Sequence, residues 1–202
     1  MGRPKSSERT APQKMQTAFW KLLEAKSYTQ ISVSDITRLS GLNRSAFYYH
    51  YTSIPELADD AIAALYKESD VASFIVHLIR EPDDAEAITD YGKRMNDPTY
   101  RDCIHKITLI AGPHGSAGLV RQLKDFVIDV WLSSLGITTD SLTPVQRITA
   151  EFAASGILGM LGTARIYLDS AGFNAEWLGQ SPVPRTVSQL VHSLQERRDG
   201  AR

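Results

Sequence analysis

A short run near the N-terminus, RSAFYYHY at residues 44–51, concentrates side chains that can donate hydrogen bonds to phosphate oxygens or reach base edges. If the run is helical, Phe47 and Tyr51 lie four residues apart on one face, which predicts that they point inward. Its three tyrosines cannot all be buried, because an apolar helical stripe covers only about a third of the circumference. We therefore expect Tyr48 and Tyr49 to be exposed. The outer face then carries Arg44, Ser45, Tyr48 and Tyr49, with His50 at its edge.

Two helices are predicted to precede this run. Apolar residues at helical spacing indicate the first one over residues 11–26. Ser32 and Asp35 form a capping box, which predicts a second helix from Val33 to Ser40. Gly41 should end that helix, because glycine readily takes the left-handed conformation that stops one.

The run itself should form the third helix, with Asn43 as its N-cap. Ser53 and Glu56 make another capping box, so a fourth helix should follow, with Pro55 in its first turn. Two short helices joined by a tight turn, with a longer helix on either side, are typical of a helix-turn-helix unit. We expect Phe47 and Tyr51 to pack against Ile36, Leu39 and Phe19.

Charge is unevenly distributed along the 202-residue chain. Residues 1–55 carry a net charge of +5 and the remainder −6, although the whole chain has a formal charge of only −1. A basic first quarter suggests a segment that meets a polyanion, although charge alone favours a solvated surface. We predict an all-α protein with a helix-turn-helix domain over residues 1–54 and a helical domain over residues 55–202.

The stretch YTQISVSDITRLSGLNRSAFYYHYTSIPEL, residues 28–57, resembles the DNA-binding domain of the TetR family of bacterial transcriptional regulators. The resemblance implies that the operator is contacted by Ser34, Thr37, Arg44, Ser45, Ala46, Tyr48, Tyr49 and His50. The family usually has a phosphate-binding lysine where this chain has Ile54. Thr52 and Ser53 could replace it with hydroxyl and backbone N–H donors, and a basic arm with Arg3, Lys5 and Arg9 could reach the minor groove.

We call the helix-turn-helix domain over residues 1–54 the head. Beyond it, the apolar spacing over residues 143–170 predicts one long helix. One side of this helix carries Val145, Ile148, Phe152, Ala153, Gly156 and Gly159. Glycine is unfavourable inside a helix, so the GILGMLG run suggests a close helix–helix contact. A last helix is predicted over residues 184–197. Two such helices from each subunit would make the four-helix bundle of a homodimer, with an interface of Phe152, Gly156, Gly159, Val187, Leu190, Val191 and Leu194.

A ligand-responsive regulator would also need a pocket among the helices between residues 71 and 168. Aromatic or polar residues within apolar stripes are the candidates to bind a small apolar or amphipathic ligand. They are Phe74, His77, Tyr100, Cys103, Ile107, Phe126, Trp131 and Phe152. Each of them also fits an ordinary role in the core.

No catalytic or metal-binding motif accompanies these features. The sequence contains neither an H-E-x-x-H pair nor a G-x-S-x-G elbow, and its single cysteine cannot form an internal disulfide. No secretory signal or membrane span is evident, so we expect a cytoplasmic protein that is not an enzyme and has no cofactor, metal or membrane partner.

The predicted function is a homodimeric repressor that binds a palindromic operator in double-stranded DNA and is released by the ligand. The alternative is a helical interaction or architectural DNA-binding protein with no small-molecule effector.

Overall fold

The computed structural model describes residues 9–69 and 97–171, together with isolated positions at 76–77, 81, 84, 86, 90, 185–186, 188–189 and 192–193. Across these residues the protein is all-helical and contains no β-strand. The α-helices are α1 (Ala11–Ala25), α2 (Val33–Ser40), α3 (Arg44–His50), α4 (Ile54–Ser69), α5 (Pro98–Ala111), α6 (Ala117–Ser134) and α7 (Pro144–Ala171). Short 3-10 helices cover Tyr28–Gln30 and Thr139–Ser141. In the described part of the chain, no helix is both long and apolar enough to cross a membrane.

The local signals near the N-terminus produce the predicted helix boundaries. The Ser32 side chain accepts from Asp35 N, and the Asp35 carboxylate accepts from Ser32 N at 3.1 Å, which confirms the capping box of α2. Gly41 ends α2 in the left-handed region, with φ at 73°. Asn43 then caps α3 through a 2.8 Å bond from Ala46 N to its side-chain oxygen.

Helices α1 to α4 pack around side chains that are completely shielded from solvent, among them Met15, Phe19, Ile36, Phe47 and Leu57. Helix α4 also packs against α5 and α6, whose buried residues continue the same apolar cluster. The head and the helices that follow it are therefore joined by a shared core.

The prediction that Leu39 points inward is wrong, because this side chain is 48% exposed. Helix α2 buries Ile36 and Thr37, with Val33 and Ser40 half-buried beside them. Leu39 lies roughly 100° around the helix from the centre of that face. A helix of eight residues has room for one buried face. The prediction from sequence spacing wrongly included Leu39 in that face.

Helix α7 has one buried and one exposed face. Ala150, Ala153, Ala154 and Leu158 are buried in the core. Ala153 was predicted to lie on the same side as Phe152, and this is wrong: Ala153 is 4% exposed and Phe152 is 69% exposed. Adjacent residues on a helix point about 100° apart, which places the two on different faces.

Asp35 provides a test of how this head is stabilised. Hydrogen bonds from Lys26 and Ser32 hold the pKa of its carboxyl well below the ordinary value. A lowered pKa in the folded state gives stability that is present above the pKa of the unfolded chain and is lost as the pH falls.

We therefore expect Asp35→Asn to lower the free energy of unfolding at pH 7, and the difference from the unsubstituted chain to shrink below about pH 4. Denaturant titrations at several pH values measure this difference. Asp140→Asn, at an exposed position of the second 3-10 helix, is the control. A difference that is independent of pH would show that the charge of Asp35 contributes nothing to stability.

Candidate nucleic-acid interface

Helix α3 and the residue after it have one buried and one exposed face, as the sequence predicts. Phe47 is 0% exposed and Tyr51, which follows the last residue of the helix, is 5% exposed. Tyr48 and Tyr49 are 57% and 84% exposed, which confirms the expectation for these two tyrosines. Arg44 and Ser45 are exposed as well, while Ala46 and His50 are half-buried.

Three helices meet at one carboxylate oxygen beneath α3. The Tyr51 hydroxyl donates to Asp60 Oδ2 at 2.5 Å, and Gln16 Nε2 donates to the same atom at 2.9 Å. Burial and the Asp60 carboxylate raise the pKa of Tyr51 well above its ordinary value, so the hydroxyl remains a donor. This junction fixes the end of α3 against α1 and α4. No sequence pattern predicts this junction, because Gln16 and Asp60 are 44 positions apart.

The exposed aromatic rings are supported by their neighbours. Tyr49 and His50 meet edge to face with ring centroids 4.8 Å apart, and Tyr48 meets Phe47 edge to face at 5.4 Å. Such pairs favour a defined orientation beyond the effect of burial. The two exposed tyrosines are therefore partly ordered before any partner is bound.

Arg44 connects the two helices of the predicted helix-turn-helix unit. Its Nη2 donates to Ser34 Oγ at 3.3 Å, and both residues are exposed. A guanidinium has five N–H donors, so most of them remain available for phosphate or guanine. By contrast, two other basic residues of the head, Lys26 and Arg38, each form an ion pair with Asp35 at 2.7 Å.

Thr37 is placed differently from Ser34. It is only 8% exposed, and its hydroxyl donates to the Ser34 carbonyl at 3.2 Å. Thr37 lies next to Ile36 on the buried side of α2, so it presents little surface to a phosphate strand. For Thr37 to contact a phosphate as predicted, its hydroxyl would have to turn away from the Ser34 carbonyl.

The start of α4 contains a contact that the sequence did not predict. Thr52 N and Thr52 Oγ1 both donate to Glu56 Oε2 at 2.6 Å. These bonds lower the pKa of the Glu56 carboxyl. The donors of Thr52 that were predicted to replace a phosphate-binding lysine are thus engaged by a carboxylate, while Ser53 Oγ accepts from Glu56 N at 3.4 Å. Ile54 is half-buried and supplies no charge.

Most predicted ligand residues that the structure describes lie in the core. Tyr100, Cys103, Ile107 and Trp131 are buried, and Phe126 packs against Tyr66 with ring centroids 5.0 Å apart and ring planes tilted by 43°. The remaining candidates differ: His77 is half-buried beside Asp84, Phe152 is exposed, and Phe74 lies outside the described residues.

Two of the surface recesses formed by described residues are lined by no predicted ligand residue. One, of about 560 Å³, runs between α1, α4 and α5 over Trp20 and Leu65. The other, of about 240 Å³, lies between α6 and α7 near Asp129 and Glu151.

The predicted dimer residues on α7 form an exposed stripe. Val145, Ile148 and Phe152 are 52%, 69% and 69% exposed, and a Cβ added at Gly156 or Gly159 would meet nothing within 4 Å. An apolar stripe that continues into glycine leaves a face that another helix could approach closely. The other predicted interface residues, Val187, Leu190, Val191 and Leu194, lie outside the described residues.

The Asp60 junction gives a direct test of how α3 is anchored. We expect Tyr51→Phe to lower the free energy of unfolding by about 1 kcal/mol, because it removes the hydrogen bond from a buried tyrosine to a carboxylate. Tyr28→Phe is the matched control, since the Tyr28 hydroxyl oxygen is buried and has no hydrogen-bond partner. We expect that variant to be neutral or stabilised. Equal losses in the two variants, measured by denaturant titration, would contradict a specific role for the junction.

Neither protein-family models nor curated proteins match this sequence. Among solved structures, the chain is similar to a TetR family repressor, AlkX from Dietzia sp. strain DQ12-45-1b, described as implicated in the biodegradation of n-alkanes. The TM-score is 0.40 and the identity 17%, over 96% of this chain and 98% of that chain.

Proposed function

We propose that this protein is a sequence-specific DNA-binding transcriptional regulator that reads the major groove with α3. The observation that carries the proposal is the division of α3 into a buried anchor, Phe47, and an exposed face with Arg44, Tyr48 and Tyr49. A helix anchored from behind and bearing donors on its outer face suits base-edge contacts. The net charge of +5 on residues 1–55 would favour association with DNA.

The regulator is proposed to act as a cytoplasmic homodimer on a palindromic operator. One α3 contacts few phosphates, whereas two of them about 34–36 Å apart would occupy successive major grooves. The exposed stripe on α7 supports this proposal, because a large exposed apolar patch usually marks an interaction surface. On the basis of the family resemblance, we also propose that the protein represses transcription. A small apolar or amphipathic ligand bound in the helical body would release it from the operator.

An interaction or architectural role without an effector is the second candidate. The observation in its favour is the engagement of both Thr52 donors by Glu56, where a phosphate contact was expected. The two candidates differ in sequence selectivity. A regulator should prefer its operator over random DNA by roughly a thousand-fold or more, whereas the second candidate should show no such preference.

Selection of binding sequences from a random DNA pool, followed by titration at two salt concentrations, tests the proposed function. We expect an enriched palindrome and a steep dependence of affinity on salt. Arg44→Ala and Tyr49→Ala should each weaken operator binding by about 1–3 kcal/mol if the lost contact is to a base. Arg121→Ala, an exposed arginine on α6, removes the same charge far from α3 in sequence and serves as the control.

Circular dichroism must show that these variants fold. Unchanged operator affinity in both α3 variants would show that α3 is not part of the DNA interface. If no sequence is enriched even after the protein has been refolded from denaturant to strip a co-purified effector, the proposal of a sequence-specific regulator fails.

The dimer is tested at Gly159. A Cβ atom added there would meet nothing within 4 Å, and leucine suits a helix better than glycine, so Gly159→Leu should leave the monomer folded. It should weaken self-association if α7 approaches a second copy closely. Sedimentation velocity over a range of concentrations measures the effect, with Ser133→Leu on the exposed side of α6 as the control. An unchanged dimer would place the interface elsewhere.

A further inference from the structure

A second candidate site lies between α4 and α5 in the sequence, where three potential metal ligands converge. We propose that His77, Glu81 and Asp84 bind one divalent transition-metal ion of the zinc class. The residues are four and three positions apart in the sequence. His77 is also a predicted effector residue, but metal binding by this trio requires neither DNA nor a second copy of the chain.

The geometry already brings the three donor groups together. One nitrogen of His77 and one carboxylate oxygen from each acid lie within 4.8 Å of one another. The shortest of these separations is 3.1 Å, between His77 Nε2 and Asp84 Oδ2. Ligands on neighbouring corners of a zinc ion are about 3.4 Å apart, given metal–ligand bonds near 2.1 Å. Even a 4.8 Å separation exceeds that spacing by only about 1.4 Å, so small rotations of the side chains would bring the three groups onto one ion.

The backbone fixes the spacing of the ligands. Glu81 N donates to the His77 carbonyl at 2.8 Å, and Asp84 N donates to the Glu81 carbonyl at 3.2 Å. The side chains of His77 and Asp84 are each 32% exposed, whereas Glu81 lies in solvent. An ion could thus enter from the solvent side and still have two ligands that are partly shielded from water.

The donor set selects the class of ion. Imidazole favours zinc, nickel, copper and iron, whereas magnesium and calcium prefer sites made only of oxygen. Three protein ligands leave at least one coordination position open to water or to an anionic group of a small molecule. Two carboxylates and a neutral imidazole also balance the charge of a divalent cation.

A second histidine provides an internal comparison. His105 Nε2 lies 3.1 Å from Glu24 Oε1, the same distance as in the His77–Asp84 pair, and the side chains of His105 and Glu24 are each about half exposed. It does not belong to any group of three potential ligands found among the described residues. The described residues therefore include two histidine–carboxylate pairs with equal spacing, of which one has a third potential ligand.

The experiment is calorimetric titration of zinc chloride into the full-length chain, purified without an affinity tag or chelator. We expect one ion per chain, and His77→Ala should weaken binding by at least about 100-fold, because it removes a direct ligand. Asp84→Asn keeps the size of the side chain and should weaken binding by roughly 10-fold or more. His105→Ala should bind zinc as the unsubstituted chain does. Visible absorption of bound cobalt should be lost in the same variants that lose zinc.

Circular dichroism shows whether His77→Ala folds, and the conservative Asp84→Asn carries the test if it does not. Absence of stoichiometric binding to the unsubstituted chain would overturn the proposal. Equal weakening by His77→Ala and His105→Ala would overturn it too, because this result would indicate only adventitious binding to surface histidines. Either outcome would leave the proposed DNA-binding function unaffected, since none of these residues lies on α2 or α3.

Discussion

A helix of seven residues is too short to persist in water, so everything that α3 presents depends on the contacts that anchor it. Those contacts are the burial of Phe47 and the hydrogen bond from Tyr51 to Asp60. The first places α3 on the core of the head, and the second fixes its end. Arg44, Tyr48 and Tyr49 can therefore be exposed together without loosening the helix, because the energy that orders them comes from the opposite face.

Local chemistry explains why so much of the head could be predicted from the sequence. Capping by Ser32 and Asn43 and the left-handed Gly41 depend on residues within a few positions, and each occurs as expected. The exposure of Tyr48 and Tyr49 followed from the limited width of a buried stripe. Leu39 was misplaced because the spacing from Ile36 left two choices for the buried face, and packing against neighbouring helices decided between them.

The contacts that could not be predicted from the sequence are hydrogen bonds of polar side chains that have several possible partners. Gln16 and Asp60 meet only after α1 and α4 have packed together. Glu56 was recognised as a capping residue, but its side chain bonds to Thr52 instead of the backbone of Ser53. A carboxylate near the start of a helix has several donors within reach, so the spacing that predicts a cap does not choose among them. The consequence concerns function, since Thr52 was a predicted phosphate donor.

Helix α4 connects the anchored recognition helix to the helical body. Gln122 on α6 donates to the Pro55 carbonyl at 3.0 Å and to Asp59 Oδ1 at 2.7 Å, and Asp60, the next residue, accepts from Tyr51. Side chains from α6 and from the end of α3 thus bind neighbouring residues in the first turns of one helix. A displacement of α6 would have to break the bonds of Gln122, rotate its side chain or carry the start of α4 with it. Because Asp60 lies on that same segment, a movement of α4 changes the support beneath Tyr51 and hence the orientation of α3.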